Sequence, residues 1–417
     1  MVTLTKRDPN ITEWLTYKAH AKQRAFHRAV RLYDYVYFKG GRNSGKTIGG
    51  ALQSIQEAII YQPASRGMVV APTNEMLQDN TMFEFFRWLP RHFISEYLKS
   101  RKIVTLTNGT EIAFRSGEEP QSLRGPNRQW AWLDEPRNYK NNETFNVVAA
   151  SLRPTVKMFL TSTPAGIFHW LYQMFTVNPL PNSYVVKVRT VENPHRGEGY
   201  ETRMASQYST LDAAQELDAE DVSFEGLCYP DWSEDAGGNV TDDAEYNPAL
   251  PVIWGVDDGF AYGQGPGHPS YHPRVVLFAQ RTAIGGVNVF DEIVVTGEMS
   301  EATIENALKK PYRRPEQIFI DSSAAELKAR LYSASMTVLP STHKVTEGIK
   351  NMRRMIASSN GMRLYRVHTR CKHHIREMKM YHSDPNANAN SGEVIPAKVD
   401  DHTCDAGRYL TWNLRYS

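Results

Sequence analysis

One short stretch limits what this chain can fold into more than any other. Gly40-Gly41-Arg42-Asn43-Ser44-Gly45-Lys46-Thr47 has the spacing G-x-x-x-x-G-K-T. Before it stands Tyr35-Val36-Tyr37-Phe38, an aromatic and β-branched run that reads as a buried strand. After it, Ile48, Ala51, Leu52, Ile55, Ala58 and Ile59 recur at helical spacing. Strand, glycine loop and helix, in that order, make a loop whose backbone N–H groups close around phosphate oxygens. The helix start adds favourable partial charge for an anion. In such a loop Gly40 and Gly45 allow the close turn, Lys46 reaches the β- and γ-phosphates, and Thr47 holds Mg²⁺. ATP with Mg²⁺ is the expected ligand of this half of the chain.

A phosphate loop of this kind needs an acidic partner. Trp130-Ala131-Trp132-Leu133-Asp134-Glu135 supplies one, an apolar strand ending in two acids. Asp134 is placed to hold the Mg²⁺, and Glu135 to orient and deprotonate the attacking water. Gly67–Pro72, Glu111–Arg115 and Met158–Leu160 read as further strands, the last closing on Thr161-Ser162-Thr163-Pro164. Strands alternating with helices predict a mostly parallel sheet covered by helices. Ligands of such sheets bind at the carboxyl ends of the strands, where the glycine loop, the acids and the hydroxyls all fall.

The second half has a different pattern. Val252-Ile253-Trp254-Gly255-Val256-Asp257 is an apolar strand ending in an acid, and Gln317-Ile318-Phe319-Ile320-Asp321 is another. Between them, Val275–Ala279 and Val287–Glu292 form a hairpin or meander about Gly285-Gly286. Asp400-Asp401-His402-Thr403-Cys404-Asp405 then leads into a stretch that reads as helix. A single strand-terminal Asp is more often a turn residue than a ligand. Three acidic elements in one module can surround hard divalent cations. Two such cations, about 3.5–4 Å apart, activate water and stabilise the leaving oxygen of a phosphodiester. Asp291 and Glu292 are expected on a neighbouring strand, away from that centre.

Composition bears on what is excluded. The chain has 417 residues, 41% of them hydrophobic and 23% charged. That is enough for roughly two or three ordinary soluble domains. No apolar run is long enough to span a membrane, and the N-terminal MVTLTKRDPN does not read as a signal peptide. Cys228, Cys371 and Cys404 lack CxxC spacing, so neither a disulfide framework nor a zinc module is expected. The net charge of +2 hides an asymmetry. Acids run from Asp212 to Glu245 without a Lys or Arg, whereas Lys344 to Lys379 is strongly basic. These runs read either as solvated faces or as a connector followed by a surface that tracks a phosphate backbone. Pro385–Gly392 reads as a flexible surface loop.

Taken together, these motifs resemble the large terminase subunit of tailed bacteriophages, a DNA-packaging ATPase and nuclease. The likeness covers residues 20 to about 180 and 251 to 417. It implies an α/β fold: a P-loop ATPase domain with a mostly parallel sheet over 1–180, then a lid and acidic linker over 181–250. An RNase H-like α/β nuclease domain follows over 251–417. Arg42 matches an arginine often found inside the family's loop, and Gln23 an upstream glutamine near the adenine. Arg124, in Ser122-Leu123-Arg124-Gly125, matches an arginine that acts on a neighbouring subunit's nucleotide. Thr161-Ser162-Thr163-Pro164 looks like the coupling motif, with Thr163 near the nucleotide. Pro136 departs from the family, which usually has a small residue after Asp-Glu.

In the nuclease half, Asp257 and Asp321 match the first two metal carboxylates, and the third comes from Asp401, His402 or Asp405. The resemblance implies two Mg²⁺ or Mn²⁺ there. It implies double-stranded DNA, a portal protein and a small terminase subunit as partners, and no membrane. It implies a ring on the procapsid, with a monomer open for the free protein, in the host cytoplasm and transiently docked at the portal. The rival readings are a P-loop helicase or recombination ATPase fused to a nuclease, and a scaffold that binds ATP without turnover.

Overall fold

A computed structural model describes residues 17–154, 156–222, 226–260, 271–342, 344–384 and 394–414. The N-terminal decapeptide and the expected loop Pro385–Gly392 lie outside the described residues. The chain divides into two compact units. One takes in the chain to Glu201 together with Ala214–Ser223; the other takes in Thr202–Ala213 and most of the chain from Phe224 on.

The first unit is built on an eight-stranded sheet. Its strands are β1 (Tyr35–Gly40), β2 (Arg66–Ala71), β3 (Ile94–Leu98), β4 (Ile103–Leu106), β5 (Glu111–Ser116), β6 (Trp130–Asp134), β7 (Met158–Ser162) and β8 (Ser183–Val188). The order across the sheet is β3-β4-β5-β2-β6-β7-β1-β8. The six strands from β5 to β8 in that order run parallel, and β4 and β3 add an antiparallel edge. Central β6 and β7 are buried at every position, as expected of parallel strands covered on both faces. Helix α1 (Ala21–Leu32) lays Phe26 against Phe38 of β1 with ring centroids 4.6 Å apart. Helix α2 (Lys46–Gln56) follows the glycine loop and buries Ala51, Leu52 and Ile55.

The sheet continues past residue 180. β8 hydrogen-bonds along β1 from Tyr35↔Ser183 to Gly40↔Val188. Its half-exposed burial pattern gives it a weaker sequence signal than its neighbours.

The second unit holds a six-stranded sheet with β9 (Val252–Asp257), β10 (Arg274–Arg281), β11 (Val287–Val295), β12 (Pro315–Asp321), β13 (Val338–Ser341) and β14 (Tyr365–Val367). The order is β13-β12-β9-β10-β11-β14. β9, β10 and β11 form the expected antiparallel meander, while β12 runs parallel to β9 and β13 parallel to β12. Helix His402–Asn413 packs on this sheet with most of its residues buried. Gly255 permits the approach: a Cβ there would lie 2.5 Å from the Ala406 carbonyl oxygen.

The acidic stretch is not a free connector in its later part. Cys228 and Tyr229 are buried in the core of the second unit, and the Asn239 amide donates to the carbonyls of Ile356 and Tyr365. The basic stretch meets it. Arg370 pairs with Glu245, Lys379 with Glu234, and Arg363 donates to the Asp231 carbonyl and Asn239 side chain. Arg353 is buried and donates to the Cys228 carbonyl at 2.6 Å. Part of the basic stretch is therefore paired within the unit, with Arg353 buried in its core.

Candidate nucleotide and metal sites

β1, β7 and β6 are neighbours, and their carboxyl ends carry Gly40, Thr161-Ser162 and Asp134. The strand order alone thus brings the glycine loop opposite the two acids. Asn43 to Ile48 line a cavity of about 490 Å³ with Thr81, Asp134 and Glu135. Within it the Lys46 Nζ lies 3.1 Å from Glu135 Oε1.

The loop is held from outside by segments distant in sequence. The His20 ring meets the Ser44 carbonyl at 3.0 Å. Gln23 Nε2 donates to the Gly45 carbonyl at 2.9 Å, and its Oε1 accepts from the His20 N–H at 3.1 Å. Gln23, expected near adenine, thus has both ends of its amide engaged in holding the loop. On the other flank, Thr190 Oγ1 donates to the Arg42 carbonyl at 2.6 Å and Asn193 Nδ2 to the Asn43 carbonyl at 2.6 Å. The Arg42 N–H donates to the Glu216 carbonyl at 2.6 Å. Gly41 is required by this packing, since a Cβ would stand 2.3 Å from the Leu217 carbonyl oxygen.

Asp134 is 2% exposed. Its Oδ2 accepts from Thr81 Oγ1 at 2.8 Å and its Oδ1 from Thr161 Oγ1 at 2.7 Å. Trp132 Nε1 donates to Thr161 Oγ1 at 2.7 Å, which commits the Thr161 hydroxyl proton to Asp134. Burial, then repulsion from Glu135, raises Asp134 above the usual carboxylate range despite these two donors. A buried carboxylate short of positive charge is a fitting place for a cation.

Glu135 stands at φ 45° and ψ 48°, a left-handed conformation that costs a non-glycine residue energy. Pro136 begins a short 3₁₀ turn immediately after it. Burial would raise the Glu135 carboxyl, but Lys46 and Arg137 outweigh that and hold it below its ordinary value. Arg137 Nε is 3.7 Å from Glu135 Oε2 and its Nη1 donates to Glu216 Oε1 at 2.8 Å. Glu216 Oε2 accepts from Arg42 Nε at 2.7 Å.

Thr47 borders the same cavity, and Thr163 is buried just past the end of β7. Arg124 does not join them. It is exposed and lines a separate cavity of about 430 Å³ with Gln121, Glu143 and Asn146.

In the second unit Asp257 and Asp321 end adjacent parallel strands, since Ile320 is in register with Val256. Helix His402–Asn413 brings Asp405 to the same place. Asp257, Asp321 and Asp405 all act on the buried Tyr409 hydroxyl. Burial, Asp257 and Asp401 push Asp405 up against the pull of its ion pair with Arg408. Asp321 accepts from the Ser323 N–H at 3.2 Å and from its hydroxyl at 2.8 Å.

His402 is differently placed from a ready ligand. Nδ1 is 3.0 Å from Asp257 Oδ2 and Nε2 is 2.8 Å from the Tyr271 carbonyl. Burial alone would lower its pKa, but the Asp257 carboxylate carries it to about 9. Both ring nitrogens are thus engaged, one by the Asp257 carboxylate and the other by the Tyr271 carbonyl. Asp401 Oδ1 lies 4.0 Å from His402 Nε2. Among the described residues no three His, Cys, Asp or Glu side chains converge as a preformed metal cage. Buried acids raised by their neighbours nonetheless fit a divalent cation. Asp291 and Glu292 are occupied elsewhere: Lys310 and Tyr312 hold Asp291, and Glu292 accepts from the N–H groups of His373 and His374 in the first turn of helix Lys372–Met380.

Sequence reasoning missed His20, Thr81, Arg137 and Glu216. Arg137 alone had a local signal, two residues beyond Glu135; the others depend on long-range packing. No described helix is long and apolar enough to cross a membrane.

Residues 37–235 match the family model of the N-terminal part of the large terminase subunit, T4-like-virus type. No curated protein matches the chain in sequence. Among solved structures, the large terminase of a thermophilic bacteriophage matches with a TM-score of 0.67 at 18% identity, over 96% of this chain and 100% of that one. The same phage protein in complex with ADP gives 0.64 at 18% identity, over the same 96% and 100%. Its complex with ATP-γ-S gives 0.63 at 18% identity, over 94% and 98%. Residues 37–235 are thus similar to the N-terminal part of large terminase subunits, and the chain shares the fold of a phage large terminase along its length.

Proposed function

We propose that the first unit hydrolyses ATP to move double-stranded DNA into a procapsid, and that the second cuts concatemeric DNA with divalent metal ions. The observation that carries this is the meeting of Lys46 with Asp134 and Glu135 at neighbouring strand ends, on a chain whose second sheet ends two adjacent strands in Asp257 and Asp321 beneath the helix that carries Asp405. The thermophilic phage protein's complexes with ADP and ATP-γ-S support a nucleotide as a ligand of this chain.

In this reading Gly40, Gly45 and Lys46 bind the phosphates, Thr47 and Asp134 hold Mg²⁺, and Thr163 lies by the nucleotide. Glu135 takes the proton of the attacking water, and its ion pairs keep it ionised for that task. Arg42 turns from Glu216 to the phosphates. Gln23 contributes by fixing the loop. Arg124, exposed and away from its own loop, acts on the nucleotide of the next copy in a ring. Two Mg²⁺ or Mn²⁺ at Asp257, Asp321 and Asp405 would activate water at a phosphodiester. Asp401 and His402 orient and balance the charge of Asp257. Portal protein and small terminase subunit are the expected partners, in the host cytoplasm and at the procapsid.

Plasmid cleavage in Mn²⁺ or Mg²⁺, beside DNA-stimulated ATP hydrolysis, tests the assignment. Wild type and Lys46→Ala should both cut, with only Lys46→Ala losing ATP turnover, while Asp321→Asn keeps turnover and does not cut. Cleavage by Asp321→Asn at the wild-type rate would overturn the nuclease assignment.

A further inference from the structure

The charges around the phosphate loop form one alternating chain. Arg42 binds Glu216 at 2.7 Å, Glu216 binds Arg137 at 2.8 Å, Arg137 faces Glu135 at 3.7 Å, and Glu135 binds Lys46 at 3.1 Å. The two cations at its ends are those of the phosphate loop. Each is held by a carboxylate, and the two carboxylates share one guanidinium. Glu216 is 8% exposed, and the Glu135 and Arg137 side chains are each 19% exposed, so none is freely screened by water. Arg137 is also fixed in place by its surroundings, its N–H donating to Ser162 Oγ at 3.4 Å and its Nη1 to the Pro164 carbonyl at 3.5 Å.

When Lys46 and Arg42 turn to phosphate oxygens, Glu135 and Glu216 lose their outer partners together. A carboxylate left unpaired in such a place is costly. We propose that Arg137 is a positioning residue that takes over both carboxylates at that moment, so that the loop cations can be released to ATP while Glu135 stays in place. This role rests on the nucleotide reading above. Arg137 acts in it through its carboxylate partners, and not through the phosphates, to free the loop.

Positioning by Arg137 makes a demand that simple scaffolding does not. Without Arg137, Lys46 is the only cation left to Glu135 among the described residues, and phosphate must pull it from a carboxylate whose other side-chain partner is the neutral Ser162 hydroxyl, 3.3 Å from Oε2. Nucleotide binding should therefore weaken, and neutralising Glu135 should restore it. A fluorescent ATP analogue titrated into the full chain reads this directly, without turnover. Arg137→Met is expected to weaken binding about tenfold or more. In the Glu135→Gln background the same change should cost less than about twofold, a coupling that the double-mutant cycle isolates. Thermal melts show whether each variant folds. Should Arg137→Met fail to fold, the cycle is run with Arg137→Lys, which keeps the charge but not the fork and should give a smaller loss, again removed by Glu135→Gln. Binding by the folded Arg137 variant at wild-type strength would overturn the proposal. A loss that Glu135→Gln leaves unchanged would do so too, by making Arg137 merely structural. Failure of the wild type itself to bind the analogue would instead overturn the nucleotide reading.

Discussion

At the scale of single residues, the chemistry rests on side chains that hold other side chains. Asp134 has both oxygens occupied by hydroxyls, and Trp132 fixes the proton of one of them. Thr81 is the other donor, and its loss takes the hydroxyl away from Oδ2. Thr81→Val is expected to lower ATP turnover about tenfold and raise the Mg²⁺ concentration needed for half-activity, with Thr81→Ser near wild type. Turnover against Mg²⁺ concentration checks this; unchanged metal dependence in Thr81→Val would remove Thr81 from the site.

Glu216 gives a pH test at the same scale. Burial raises its carboxyl, but Arg137 and Arg42 win and carry it from 4.5 to about 2. A folded-state pKa below the unfolded one contributes stability above the unfolded value, which is lost as pH falls through the folded one. At about 1.4 kcal/mol per unit, Glu216→Gln should cost about 3 kcal/mol near neutral pH. The gap between wild type and variant should close to roughly half or less at pH about 3. Urea titrations at both pH values measure it, and a gap independent of pH would mean that Glu216 is not ion-paired in solution. None of this was legible in the sequence. The loop and Asp134-Glu135 announce themselves by spacing, but Glu216 lies 174 positions from Arg42 and is placed only by folding.

At the scale of elements, the second site depends on how closely one helix meets one strand. The acids at the ends of β9 and β12 were readable because buried strands are apolar runs that stop at a polar residue. β13 and β14 were not, being short and only partly apolar. The close approach at Gly255 was not readable either, because a glycine inside a strand has several possible reasons. Gly255→Ala puts a Cβ 2.5 Å from both the Ala406 carbonyl oxygen and Leu410 Cγ. Overpacking of this kind costs about 1–3 kcal/mol. The helix must shift, and with it Asp405 moves relative to Asp257. Gly255→Ala should therefore lose most plasmid cleavage while ATP turnover in the first unit is kept. Cleavage at the wild-type rate would mean that the helix is not a fixed part of the site.

At the scale of the whole molecule, the two units carry separate sheets and separate cores. Phe38, Trp132 and Phe159 belong to one set of buried residues, and Leu277, Met352 and Tyr365 to another. The sequence signalled two halves through its two kinds of acidic motif. It left the material between and after them open, because the sign of a charge run does not say which run it will meet. Arg370 with Glu245 and Lys379 with Glu234 join the acidic and basic stretches within the second unit. Separate cores imply separate responses to ligands. A ligand that binds only the folded form stabilises it by about 2.7 kcal/mol at a hundred times its dissociation constant. ATP with Mg²⁺ should then raise the unfolding temperature of the first unit alone, and Lys46→Ala should abolish that shift. Mn²⁺ without nucleotide should raise only the transition that Asp257→Asn and Asp321→Asn make insensitive to metal. Calorimetric scans of the full chain separate these cases. If nucleotide moves both transitions equally, the units unfold as one cooperative body, and the Lys46 variant should then lose both shifts together.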